Sequence, residues 1–418
     1  MEEIHDMREK TKKRSNNFRI LYWYECRKIL GKKLVWFSLL AGIAIMTIGL
    51  LSPLFGGYYI DGKYMGTTYE MYLADRDYAK ELSGRKIDQT LLEETMAAYK
   101  SIPYTPEIHY TATEEYQKIA RPYSEIFNFV RQTSGIQTSE LILSWQPDEK
   151  DLYAKRQIWL MSLWKDLGLS QGEIDFWRAR EEQVETPYVY EEHGGYSTMF
   201  SFAPTVGFVV LMLTAICLSG IFTEEHTRKT DQLVLCSPLG KTTLYQAKIA
   251  AGISFAAFVT VLFSALVWIG TICLYGMEGF QAALQFLYAQ SSAPVTCGQA
   301  VLITYGIIMI TAIITSVFVM VLSELLQNNI ATLAISSGLL MLSMAVVVPE
   351  QYRVLAQIWT WLPWSFFEPW NVFGSYTVSL LGHYFTPWQA VPVIYLVSAA
   401  AIAAVGKPVY QRYQVSGR

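Results

Sequence analysis

The sequence predicts an all-α membrane protein. It has six transmembrane helices, an N-terminal amphipathic helix leading into the first, and a large, mostly helical extracytoplasmic domain between the first two. Three observations predict this. Hydrophobic residues make up 52% of the 418 and charged residues only 17%, against roughly 25% charged in soluble domains. Six apolar runs approach the ~20 residues that cross a ~30 Å hydrocarbon core. Twelve Trp, 27 Tyr and 20 Phe supply the aromatic residues that collect at membrane–water interfaces.

Residues 1–33 are basic, and about Asn17–Lys32 forms an amphipathic helix carrying Trp23, Glu25, Arg27 and Lys28. The first span, 34–52, contains LVWFSLLAGIAIMTIGLL without a charge. It is long enough to cross, and no small-residue cleavage motif precedes Pro53, so it is not a cleaved signal peptide. The other spans fall at 199–222, 249–275, 300–322, 330–348 and 390–405. The short flanks place the positive charge on one side: Arg228, Lys229, Lys241 and Lys248 after the second span, and Lys407, Arg412 and Arg418 in the tail 406–418. The 276–298 loop has no Lys or Arg, and 350–388 has only Arg353. Both termini are therefore expected in the cytoplasm.

The segment 53–198 is then extracytoplasmic. Residues 68–100 and 112–133 read as helical, with Leu91, Leu92, Thr95, Met96 and Tyr99 on one face. Ser170 and Glu173 have capping-box spacing, and Pro103 and Pro106 break helices. The segment carries 24 acidic against 15 basic residues. A solvated acidic surface and a receptor for a cationic peptide or drug both fit that charge.

Several chemistries are argued against. Thirty-six acidic and 33 basic residues leave a net charge of −3, unlike a strongly basic nucleic-acid binder. The five Cys form no CxxC, and no HExxH occurs, so no metal site is expected. Gly240-Lys241-Thr242 resembles the end of a P-loop, but the required first glycine is Leu235. No nucleophile elbow occurs, and no catalytic residue is assigned. The spans hold almost no ionisable residue, which argues against an ion-coupled carrier. Glu324 is expected at the cytoplasmic end of the fourth span, open to solvent or a partner.

Residues 223–248 form a small amphipathic element between two spans. Glu224 and Glu225 come first, then a short helical stretch, the apolar pair Leu233 and Leu235, the breaker Pro238, and a return helix ending at Lys248. Such an apolar knob suits insertion into a partner's groove.

Here the chain resembles the ABC-2 family of ABC transporter permeases. That family has a Phe, a small residue and a Glu after the second span, then a Thr, a Leu-rich stretch ending in Pro, and a Lys opening the third span. Phe222, Glu224, Thr230, Leu233, Leu235, Ser237, Pro238 and Lys248 match. The six-span layout and the basic amphipathic helix match as well.

The resemblance implies a permease subunit that pairs with itself or a paralogue in a bacterial plasma membrane. Two cytoplasmic ATPase subunits would carry ATP and Mg and dock on the 223–245 element and the N-terminal helix, including Glu25, Arg27 and Lys28. No cofactor is expected in this chain. Small residues in spans one and five (Ala41, Gly42, Ala334, Ser337, Gly338) permit close helix approach. In the family those spans face the other half-transporter, although packing within one subunit fits as well. Between the last two spans, Trp361, Trp364, Phe367 and Trp370 suit a helical hairpin at the outer leaflet, either as an aromatic anchor among membrane lipids or as an exit gate. Lack of charge in the spans favours an amphipathic cargo such as an antimicrobial peptide or antibiotic; sodium or lipid cargo is the next reading. The rival class is a membrane-anchored receptor or sensor using 53–198 for its ligand.

Overall fold

The computed structural model describes residues 17–102, 110–134, 146–227 and 239–412. Helix α1 covers 17–30 and leads through Gly31 into α2 (Lys33–Phe55). A far-end domain follows. It opens with the antiparallel pair β1 (Gly57–Ile60) and β2 (Lys63–Thr67). Helices α3 (Thr68–Leu82), α4 (Gln89–Lys100), α5 (Ser124–Ser134), α6 (Glu149–Asp166) and α7 (Gln171–Glu181) complete it. The chain then runs through α8 (Gly194–Leu218), the short α9 (Thr223–Thr227), α10 (Thr243–Tyr275), α11 (Cys297–Leu326) and α12 (Asn329–Ala345). After α13 (Arg353–Thr360) and the one-turn α14 (Pro369–Val372) comes a second hairpin, β3 (Val378–Leu380) with β4 (His383–Phe385), and the long α15 (Pro387–Arg412).

Five of these helices are long and apolar enough to cross a membrane: α2, α8 with α9, α10, α11 and α15. Helix α12, in the expected fifth span, has 17 residues, about 25 Å at 1.5 Å per residue. It stops at Ala345, short of the expected 348, and Val346 is extended. Gln327, in the left-handed conformation, ends α11, and the Asn328 side chain accepts from the Ile330 and Ala331 N–H groups to start α12. Two residues thus reverse the chain.

Helices α8 and α11 are the innermost, with 72% and 67% of their apolar windows buried; the other three lie at or below a third. Between lipid and protein, helix packing gains little from hydrophobic burial, so close fit matters. Glycines provide seats for large side chains: Gly42 for Phe263 and Leu213, Gly207 for Phe367, and Gly252 for Met320. Thr214, Thr260 and Thr304 bond the carbonyls four residues back, which satisfies hydroxyls where water is absent. The outward faces are apolar, as on α2 with Phe37, Leu40, Ile45 and Ile48.

The far-end domain has its own core. Leu91, Leu92, Met96 and Tyr99 of α4 are buried against Ile126, Phe127 and Val130 of α5, and Tyr99 stacks on Phe127 with 3.8 Å between ring centres. The helix expected over 68–100 breaks after Leu82, where Gly84 takes a positive φ. The one expected over 112–133 passes through a π turn and a 3-10 turn containing Pro122 before its continuous α-helix begins at Ser124.

The domain is seated on the helix bundle through polar contacts. Tyr69 donates to the Leu274 carbonyl at 2.7 Å. Arg156, only 1% exposed, pairs with Glu181 and donates to the carbonyls of Ala289 and Ser291. Glu173 accepts from Ser170, Thr377 and Arg353, the last at 2.5 and 2.6 Å. Phe286 packs against Phe129, Tyr188 and Tyr190. The aromatic run expected to form a helical hairpin within 350–388 falls across the end of α13, a turn and the one-turn α14, and a β-hairpin follows it.

Candidate functional site

The bundle's other end, the near end, gathers α1, the α8–α9 junction, the start of α10 and the last turns of α15. Glu25, Lys28 and Lys32 recur at three- and four-residue spacing and share a face of the N-terminal segment. Glu225 projects from α9, and Lys248 from the second turn of α10.

These charges form one cluster. Lys248 Nζ lies 2.7 Å from Glu225 Oε1, 3.0 Å from the Ile221 carbonyl and 3.5 Å from Glu25 Oε2. Lys28 Nζ reaches the same Glu225 oxygen at 2.9 Å. Lys32 pairs with Glu224 at 2.9 Å. Lys248 is 0% and Glu25 2% exposed. Two buried or half-buried ammonium groups therefore meet two carboxylates, and charge is balanced where desolvation is costly. Burial alone would lower the Lys28 amine, but Glu225 and Glu25 outweigh it and raise the group above its ordinary range.

Aromatic and hydroxyl contacts extend the cluster. Phe222, Tyr245 and Tyr410 meet with ring centres 5.5–5.8 Å apart and join α10 to α15. The Lys248 ammonium sits over the Phe222 ring at 5.2 Å, a cation–π contact. Tyr245 donates to the Ala403 carbonyl. Ser323 of α11 bonds the Ser219 carbonyl and the Thr223 hydroxyl. Five helices thus share one polar and aromatic node.

The residues singled out from sequence divide accordingly. Glu25, Lys28, Phe222, Glu225 and Lys248 come together, but Phe222, Lys248 and Glu25 face inward and offer no surface. Glu224 and Lys32 lie at the rim, and Arg27 is exposed. Thr230, Leu233, Leu235 and Pro238 lie outside the described residues. Glu324, expected to be open to solvent, is 2% exposed. Sequence reasoning missed Thr223, Ser323, Tyr245 and Tyr410, because their contacts are between distant elements and leave no local pattern.

The small residues also divide. Gly42 is buried inside the chain beneath Phe263, and Ala41 is half-buried. On α12, Ala334 and Gly338 are exposed, Gly338 has open space where a side chain would go, and Ser337 bonds the Leu333 carbonyl. Of the aromatic run, Phe367 is fully buried against Gly207, and Trp364 packs edge-on to Phe318. The Trp361 carbonyl accepts from Tyr395. Trp370, 47% exposed, borders a cavity of about 340 Å³.

No protein-family model matches this chain, and no curated protein matches it.

Proposed function

We propose that the chain is the membrane-spanning subunit of an ATP-driven exporter of the ABC-2 type. In this reading it sits in a bacterial plasma membrane with the near end and both termini in the cytoplasm. It has six spans, α12 serving as a short fifth, and pairs with a second copy or a paralogue through the exposed small-residue face of α12. Two separate ATPase subunits hold ATP and Mg, and the cargo is an amphipathic molecule such as an antimicrobial peptide or antibiotic.

The observation that carries the reading is the near-end node. A push on α1 or on the 223–248 element reaches Lys248, Tyr245 and Ser323 directly, and through them α10, α15 and α11. A lipid-facing helix end needs no such cross-linking. A buried ion cluster holds its partners in one geometry, because separating them strands a charge. In this reading the rim pair Lys32–Glu224 meets the docked ATPase subunit.

Two experiments test this. Affinity capture of the full chain from native membrane in mild detergent, followed by mass spectrometry, is expected to recover a soluble P-loop ATPase in near-equal amount. Recovery of the chain alone, or with a histidine kinase, would overturn the exporter reading in favour of a sensor. Replacing Glu224, or Leu233 and Leu235 together, is expected to uncouple ATP hydrolysis from transport in a folded chain. Cargo-stimulated ATPase activity that stays unchanged would remove the docking role.

A further inference from the structure

The far-end domain holds an open-sided cavity of about 470 Å³ beside the first turn of α8, within the size range that takes drug-sized ligands. Tyr58, Tyr72 and Tyr116 line it, together with the carboxylates of Asp75, Glu125 and Glu192. Asp75 is matched by Arg121 at 2.6 Å. Arg76 also borders the space, with its guanidinium 4.0 Å from Asp77. Among the described residues, Glu125 and Glu192 have no ion-pair partner.

Glu192 is the informative one. It is 4% exposed. Its Oε1 accepts from the Gly194 N–H at 2.8 Å and from the Tyr72 hydroxyl at 3.4 Å. Its Oε2 is buried and, among the described residues, has no hydrogen-bond partner. An unmet buried carboxylate oxygen is expensive and uncommon. Burial raises Glu192 above the ordinary carboxylate range, and Glu278 adds to it. Glu125 is raised by burial too, with Asp75 and Glu192 adding. Its side chain has open surface and lines the cavity.

The walls carry three carboxylates (Asp75, Glu125, Glu192) against two guanidinium groups (Arg76, Arg121); Arg121 is held by Asp75, and no donor among the described residues reaches Glu192 Oε2. Among the described residues no three His, Cys, Asp or Glu side chains are grouped to hold a metal ion. An organic ammonium fits better: its N–H groups meet the carboxylates, and its charge and apolar frame meet tyrosine rings.

We propose that this cavity is a binding site for an organic ammonium ligand, with Glu192 Oε2 as its acceptor and Glu125 as the second counter-charge. The proposal stands on the cavity alone and does not depend on the exporter reading.

The test is calorimetric titration of the full chain in detergent with phenethylamine and with its neutral counterpart, phenethyl alcohol, at neutral pH. The amine is expected to bind saturably with Kd on the order of 1 mM or tighter, and the alcohol about tenfold more weakly or worse. Glu192→Gln keeps an oxygen for Gly194 and Tyr72 but loses the charge; it and Glu125→Gln are each expected to weaken the amine about tenfold and to leave the alcohol unchanged. Absence of saturable amine binding, equal affinity for the alcohol, or wild-type amine affinity in folded variants would overturn the proposal. If Glu192→Gln does not fold, Glu125→Gln decides it alone.

Discussion

A lysine ammonium without exposed surface must be neutralised where it stands. Lys248 meets that requirement through Glu225, Glu25 and the Ile221 carbonyl. Lys248→Met leaves Glu225 and Glu25 to share Lys28, a net buried negative charge, and is expected to cost about 3–5 kcal/mol, read as a fall in the unfolding midpoint in micelles. Adding Glu225→Gln should recover part of the loss; strict additivity would mean the two residues are not coupled. Glu173 gives a pH prediction at the same scale. Burial would raise its carboxyl, but the Ser170, Thr377 and Arg353 donors outweigh burial and hold it below the ordinary range. A carboxylate lowered by folding stabilises the protein above its unfolded pKa, about 4.3, and that contribution is lost as pH falls through the lower, folded value. Proteolysis of the far-end domain should therefore accelerate in acid, and Glu173→Gln should flatten that limb. An identical acid limb in the variant would rule out Glu173 as the cause.

The elements test packing and capping. A Cβ at Gly207 would overlap the Phe367 ring close to its attachment, where the ring has little room to swing. Gly207→Ala is expected to destabilise the bundle by about 1–3 kcal/mol, and Phe367→Leu in the same chain should relieve part of that. Asn328→Ala removes the acceptor that starts α12 and should cost about 1 kcal/mol; no change in unfolding would mean packing alone sets that boundary. This is also where the sequence was most and least readable. Apolar runs marked where the five long helices lie, with ends up to seven residues away, since length and hydropathy are local properties. The Leu91–Tyr99 face was readable from its spacing, and the Ser170–Glu173 contact from its cap pattern. The hairpin at Asp61-Gly62 had a signal in its dipeptide, both residues taking positive φ as a two-residue hairpin turn requires, and a helix-oriented reading passed over it. The end of α12 had none: 346–348 is Val-Val-Val, as apolar as a span yet outside the helix, with Val346 extended, in keeping with the β-branched preference.

At the scale of the whole molecule, the two ends are held by different means. The far-end domain attaches by side chains that donate to loop carbonyls, among them Arg156 to Ala289 and Ser291. Nothing in the sequence around Arg156 marks it, because the carbonyls it meets are more than 130 residues away. Arg156→Met should leave Glu181 and those carbonyls unmet and loosen the domain, seen as faster cleavage between α6 and α7 with the long helices still protected. Equal protection would show that Phe286 and its ring neighbours suffice. The near-end cluster was half readable: the charges were visible, but their burial was not, since hydropathy does not say which way the end of an apolar run faces.

Helix α8 begins two residues after Glu192 and, with α9, reaches Glu225. One apolar rod therefore carries a cavity carboxylate just before its first turn and the shared acceptor of two lysines at its last. If an ammonium ligand at the first alters the equilibrium at the second, thermodynamic reciprocity requires the converse by the same factor. Loss of Lys28, some 197 positions from Glu225 in the chain, would then change amine affinity without touching the cavity. An affinity ratio of one would mean that the rod transmits nothing.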